Sequence, residues 1–217
     1  MTKLCIFDLD GTLSNTIPAI EYFGNSALSK FGFPTIPQER YKLLVGDGRD
    51  VLIHRMLAEN GLDNEENYKK VGAAYDSAYE QDPLYLTNPY DGIIELLDDL
   101  KKSGIKIAVL SNKPDNVCAD VVRLFFGDRF DAIYGQRTGI KTKPAPDSAF
   151  MICAELGISE SETVFIGDTN VDIRTGKNAG METIGVLWGF RDEAELKGAG
   201  ANYIVSHPSE ILDIILK

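Results

Sequence analysis

From Pro89 onward the chain alternates between two periodicities, and this limits its fold more than any other feature. A helical pattern at about 91–102 (Ile93, Leu96, Leu97, Leu100) is ended by Gly104, and the strand-like IKIAVL follows at 105–110. The next helix opens with Pro114 near its first turn, where proline is favoured. Then come DAIY at 131–134, a helix near 147–156, TVFI at 163–166, a helix at about 170–179 and TIGVL at 183–187. A short helix, a strand around Tyr203 and Val205 and a final helix complete the series. Strands that alternate with helices predict a mostly parallel, doubly wound α/β sheet with helices on both faces. The opening run LCIF is of the same strand type and belongs to that sheet.

Residues 15–87 have another texture. Ile20, Phe23, Ala27, Leu28 and Phe31 recur at helical spacing before Pro34 and Pro37 interrupt. Leu52, Met56 and Leu57 predict a second helix, and Tyr68, Val71, Tyr75, Ala78 and Tyr79 a third. No convincing strand stands between Asn15 and Asn88, so a module of three or four helices is expected there, inserted directly after the first strand.

In a doubly wound sheet, ligands bind at the carboxyl ends of the strands. Asp8 and Asp10 follow the first strand, and Ser111 and Asn112 follow IKIAVL. Asp168 follows TVFI within FIGDTNVD, and Asp172 lies in the first turn of the next helix. Lys143, in KTKPAP, lies on the loop after DAIY. Four polar clusters therefore converge on one edge of one sheet. Carboxylates at the end of a buried strand are costly unless a cation or proton neutralises them. Together with a hydroxyl and a lysine they suit a hard divalent cation such as Mg2+ beside a phosphate. Asp8 is then placed to attack phosphorus and form an aspartyl phosphate. Asp10 is placed to protonate the leaving oxygen and later deprotonate water. Ser111 and Lys143 are placed to hold phosphoryl oxygens.

The ordered set DLDGT, LSN, KPAP and GDTNVD resembles the four motifs of the haloacid dehalogenase superfamily, and the resemblance covers nearly the whole chain. It implies a Rossmann-like core (residues 1–14 and 88–217) and a helical cap (residues 15–87). It maps the nucleophile onto Asp8, the acid/base onto Asp10, the hydroxyl onto Ser111 and the lysine onto Lys143. The implied metal ligands are the Asp8 carboxylate, the Asp10 backbone carbonyl and Asp168, with Asp172 supporting the metal shell. Within the superfamily, VGDGRDVL at 45–52, PYDGIIELLDDLKKSG, VLSNKP and VLWGFRDEAEL resemble the phosphoglycolate phosphatase group. The implied activity is magnesium-dependent hydrolysis of a small phosphate monoester. A pyrophosphatase and a sugar-phosphate phosphatase or mutase are the alternatives. Dehalogenation fits less well, since it has no use for an acid/base at Asp10, and a non-catalytic sensor would be expected to lose one of Asp8, Asp10 and Asp168.

Each motif residue also has a plainer role. Asp10 and Asp168 suit turns, Asp172 suits a helix N-terminus, and Ser111 can cap a helix. Asn112 is assigned to substrate with Ser111 and Lys143, whereas Lys141 is a solvated loop charge. Gly46, Gly48 and Arg49 are candidates to contact substrate from the cap, although such residues also simply shape and solvate loops. Asp47 adds an acidic charge to that loop. His54 is expected to pack or face solvent, and Tyr68, Tyr75 and Tyr79 to pack. Trp188, Gly189, Phe190 and Arg191 are expected to form an aromatic lid on the core.

The balance of 22 basic and 33 acidic residues gives a formal charge of −11, which argues against nucleic-acid and membrane partners but not against a small anionic metabolite. No apolar run approaches the roughly 20 residues of a membrane span, and Asp8 and Asp10 come too early for a signal peptide. Cys5, Cys118 and Cys153 are scattered and odd in number, which makes the reducing cytoplasm the expected compartment. A monomer or a homodimer is expected.

Overall fold

The structure is a computed structural model that describes residues 1–82 and 84–217. It divides into two compact units, Met1–Asn15 with Pro89–Lys217, and Thr16–Asn88.

The first unit is built on β1 (Leu4–Phe7), β4 (Lys106–Pro114), β5 (Ala132–Gln136), β6 (Thr163–Gly167), β7 (Glu182–Val186) and β8 (Tyr203–Val205). They form one sheet in the order β5-β4-β1-β6-β7-β8, with every pair parallel. The first strand is central, in register with residues 106–109 on one side and 163–166 on the other, and all four of its residues are fully buried. Burial on both faces explains its unbroken apolar sequence. Two short strands, β2 (Ser14–Asn15) and β3 (Asn88–Pro89), pair with each other.

Alternation along the strands sorts their side chains between the two faces. Leu4, Ile6, Ala108, Leu110, Tyr134 and Phe165 form one apolar layer with Ala149, Ile152 and Cys153 of α7 (Asp147–Leu156). Right-handed crossovers put α5 (Ile93–Lys102) and α6 (Asp115–Phe126), which pack on β4, on the other face. There α5 also meets α10 (Pro208–Ile215). The helices α8 (Asn170–Asn178) and α9 (Glu193–Ala199) connect the later strands. The α/β, Rossmann-like doubly wound fold is thus present. From β1 the chain winds outward through β4 to β5, then returns to β6 and winds outward through β7 to β8. The switch point therefore lies between β1 and β6, and the C-terminal ends of β4, β1 and β6 lie side by side there.

Strand β4 runs on to Pro114, beyond the expected end at residue 110. Its register against β5 shifts between Leu110 and Pro114, so the SNKP segment stays extended and Pro114 precedes α6 as its cap.

The second unit contains α1 (Ile17–Ser29), α2 (Gln38–Leu44), α3 (Arg49–Glu59) and α4 (Glu65–Gln81). Its core is Phe23, Leu28, Tyr41, Ile53, Met56, Leu57, Val71 and Tyr75. The segment between α1 and α2 is held by Asn25, whose side-chain amide donates to the Ile36 carbonyl (2.9 Å) and accepts from its N–H (2.8 Å). Among the described residues, no helix is long and apolar enough to cross a membrane.

Candidate active site

The ends of β1, β4 and β6 and the loop before α7 bring Asp8, Lys143, Asp168 and Asp172 together. One carboxylate oxygen from each of Asp8, Asp168 and Asp172 lies within 4.8 Å of the others, and all three residues are buried. The Lys143 ammonium stands 2.8 Å from Asp8 Oδ1 and 2.7 Å from Asp172 Oδ1. Three carboxylates thus gather around one cation in a desolvated place, and the consequences show at Asp8 and Asp168. Burial, with the Asp172 charge second, pushes the Asp8 carboxyl up to about 7. Burial and the charges of Asp172 and Asp8 hold Asp168 well above the usual carboxylate range. Burial works against the charge on Lys143, but Asp172 and Asp8 outweigh it and raise its pKa.

The local structure explains how each group is held. Asp8 Oδ1 accepts the N–H of Leu9 at 2.7 Å as well as the lysine. Asp172 Oδ2 accepts the N–H and the hydroxyl of Thr169, at 3.0 and 2.7 Å, in a capping box that starts α8. With Oδ1 on Lys143, both of its oxygens already have protein donors. Asp168 Oδ1 accepts from the Thr12 hydroxyl (3.0 Å) and Oδ2 from the N–H of Phe190 (2.8 Å). Asn112 ties two segments together: its amide donates to the Lys143 carbonyl (3.1 Å) and accepts the Lys143 N–H (2.9 Å). Its side chain therefore braces the lysine's backbone. Ser111 is buried at the same strand end, where its hydroxyl accepts the N–H of Lys113 at 3.2 Å.

The chain has relatives along its whole length. The family model for haloacid dehalogenase-like hydrolases matches residues 5–186. The chain belongs to that family. It is 30% identical to the N-acetylmuramic acid 6-phosphate phosphatase of Pseudomonas aeruginosa, over 98% of this chain and 94% of the relative. It is 29% identical to the phosphoglycolate phosphatase of Haemophilus influenzae, over 98% of each. A crystal structure from Lactobacillus delbrueckii subsp. bulgaricus, whose provisional name is phosphoglycolate phosphatase, superposes with a TM-score of 0.95 at 30% identity over 99% of each chain.

In this haloacid dehalogenase-like hydrolase the acidic cluster fits a hard divalent cation. Its donors are carboxylate oxygens with no thiolate or imidazole among them, and one lysine leaves their combined charge uncompensated. Asp8, Asp168 and Asp172 each offer one oxygen to such an ion, and protein donors already orient all three: Leu9 and Lys143 on Asp8, Thr12 and Phe190 on Asp168, Lys143 and Thr169 on Asp172.

The candidates in the helical unit have other partners. Arg49 donates from Nε and Nη2 to the two oxygens of Asp76 (2.8 and 2.6 Å), and from Nη1 to Asp50 (2.9 Å) and Tyr68 (3.2 Å). Its guanidinium thus joins α3 to α4 and is not presented as an open anion receptor. Gly46 and Gly48 have φ of 116° and 93°, so their backbone conformation itself calls for glycine. The Asp47 charge is answered by Arg55 at 2.6 Å. His54 stacks on Tyr68 and its Nδ1 lies 2.8 Å from Asp63. Tyr75 and Tyr79 are buried, whereas Tyr68 is half-buried and hydrogen-bonded to Asp50 and Arg49.

Three contributors have no site role in the sequence reading: Thr12, the Gly189–Phe190 backbone and Lys113. The Trp188 indole donates to the Thr12 carbonyl (3.0 Å), which ties the loop after β7 to the turn that carries Asp10. A side chain at Gly11 or at Gly189 would run into Asp168, so two glycines enclose that carboxylate. Lys113 lies 3.2 Å from Asp10 Oδ2. Two-residue alternation along β4 is the signal that would have found it, since Lys113 stands two positions after Ser111.

Proposed function

We propose that the chain is a magnesium-dependent phosphatase of small, phosphoglycolate-like phosphate monoesters, acting through an aspartyl phosphate on Asp8. The observation that carries this reading is Lys143, buried between Asp8 and Asp172 beside Asp168. The site has nucleophile, acidic cluster and phosphate-binding cation within one hydrogen-bond network. The whole-length similarity to relatives named as phosphatases supports it independently.

Asp8, the Asp10 carbonyl and Asp168 would hold the magnesium, which would supply charge neutralisation for a carboxylate meeting a phosphate. The Asp8 carboxylate attacks phosphorus in line as the ester P–O bond breaks, and Asp10 gives its proton to the departing oxygen. Asp10, now a carboxylate, then takes a proton from water as the water oxygen attacks the same phosphorus. The acyl phosphate bond breaks, inorganic phosphate leaves and Asp8 returns as a carboxylate. Lys143 and the Ser111 hydroxyl hold the phosphoryl oxygens. The core unit, Met1–Asn15 with Pro89–Lys217, contains all of these groups. The helical unit acts as the cap that selects the leaving group.

The test is turnover of 2-phosphoglycolate, N-acetylmuramic acid 6-phosphate, pyrophosphate, sugar phosphates and 4-nitrophenyl phosphate with magnesium. At least one ester should be hydrolysed, and Asp8→Asn should lower its rate by about a thousandfold or more. Absence of turnover across the panel, or an Asp8→Asn variant as active as the wild type, would refute the proposal.

A further inference from the structure

Lys113 belongs to none of the four motifs, yet its side chain is only 8% exposed and its ammonium is directed at Asp10. A lysine drawn this far out of water requires a partner. Asp10 Oδ2 provides one at 3.2 Å. Among the described residues the other oxygen, Oδ1, is buried and has no hydrogen-bond partner. The two oxygens of one carboxylate therefore have opposite surroundings.

We propose that Lys113 is a positioning residue for Asp10: it pins Oδ2 and thereby fixes how the carboxyl group is presented to the substrate. This rests on Asp10 being the acid/base of the phosphatase reaction proposed above. The two lysines then divide the labour. Lys143 serves the nucleophile side, between Asp8 and Asp172, and Lys113 serves the proton-transfer side. A short side chain such as aspartate turns readily about its last bond, and without Lys113 either oxygen can swing toward the substrate. Misplacing a proton donor slows the chemical steps without altering how phosphate is gripped.

The experiment is a double-mutant cycle on the full chain with magnesium and 2-phosphoglycolate, using Lys113→Met, Asp10→Asn and the pair. Lys113→Met should lower kcat about tenfold or more with KM within about twofold, and Lys113→Arg should restore part of it. In the Asp10→Asn background the same change should cost less than about twofold, because the residue acts through Asp10. Losses that multiply, or a loss confined to KM, would overturn the inference and point to direct contact with substrate. A second readout needs no turnover. In low-temperature 1H–15N spectra of the lysine ammonium groups, the signal that vanishes in Lys113→Arg should shift or broaden away in Asp10→Asn. If it does not respond, the pairing is wrong. If the wild type hydrolyses nothing while the signal does respond, the phosphatase reading fails and the positioning of Asp10 by Lys113 stands.

Discussion

Lys143 serves two acids at once, and a third, Asp168, lies beside them without an ammonium of its own. Metal-free, the folded chain therefore retains protons on Asp8 at pH values where the unfolded chain has released them. Its carboxyl titrates at about 7 against an ordinary 3.8, and Asp168 is displaced in the same direction. Unfolding then releases protons between about pH 4 and pH 7, so stability falls as pH rises through that window. The raised pKa of Lys143 contributes no slope there, since the lysine is charged in both states until well above neutral pH. In EDTA the Tm should accordingly be higher near pH 5.5 than near pH 7.5, by about 2–4 °C for each kcal/mol of linkage. Asp8→Asn should flatten that dependence, and magnesium should raise the Tm at pH 7.5 and reverse the slope. A metal-free Tm that climbs toward pH 7.5 would contradict the unbalanced charge.

At the scale of elements, the loop between β7 and α9 does more than cover the core. Trp188 fastens it to Thr12, Phe190 donates its N–H to Asp168, and Gly189 leaves no room for a side chain beside that carboxylate. Gly189→Ala should displace Asp168, costing about 1–3 kcal/mol by overpacking. Magnesium binding, measured by calorimetry, should weaken about tenfold or more through loss of the ligand's support. An unchanged affinity would show that the loop is only a cover. Parts of this site were legible beforehand because their signals are local. Asp8 follows an apolar strand, Asp168 follows another, and the lysine before Pro144 stands in a recognisable loop. The supports were harder to read because they act across the fold. Thr12 and Asp168 are 156 positions apart, and Asn112 and Lys143 are 31 apart. Lys113 was hidden for another reason: β4 continues extended through it, whereas the apolar run that marks a strand ends at residue 110. In the helical unit the helices of strong period were visible. The short α2, after two prolines, offered too few apolar positions to show one.

For the whole molecule, the chain divides its chemistry unevenly. Every group given a role in phosphoryl transfer lies in Met1–Asn15 or Pro89–Lys217, and the chain crosses to the helical unit and back at residues 15–16 and 88–89. A buried carboxylate attacking a phosphate gains from exclusion of water, because bulk water weakens each electrostatic contact and competes for the acyl phosphate. The core must nevertheless admit substrate and release phosphate. A helical unit that closes during the reaction and opens afterwards satisfies both needs, and the two crossings are where the backbone would turn. Small-angle scattering on the full chain should therefore give a smaller radius of gyration with magnesium and a phosphate mimic such as beryllofluoride than with neither. The compaction should vanish in Asp8→Ala, which removes the carboxylate the mimic bonds, while that variant's thermal unfolding remains cooperative. A radius that is the same with and without the mimic would refute closure of the helical unit during the reaction.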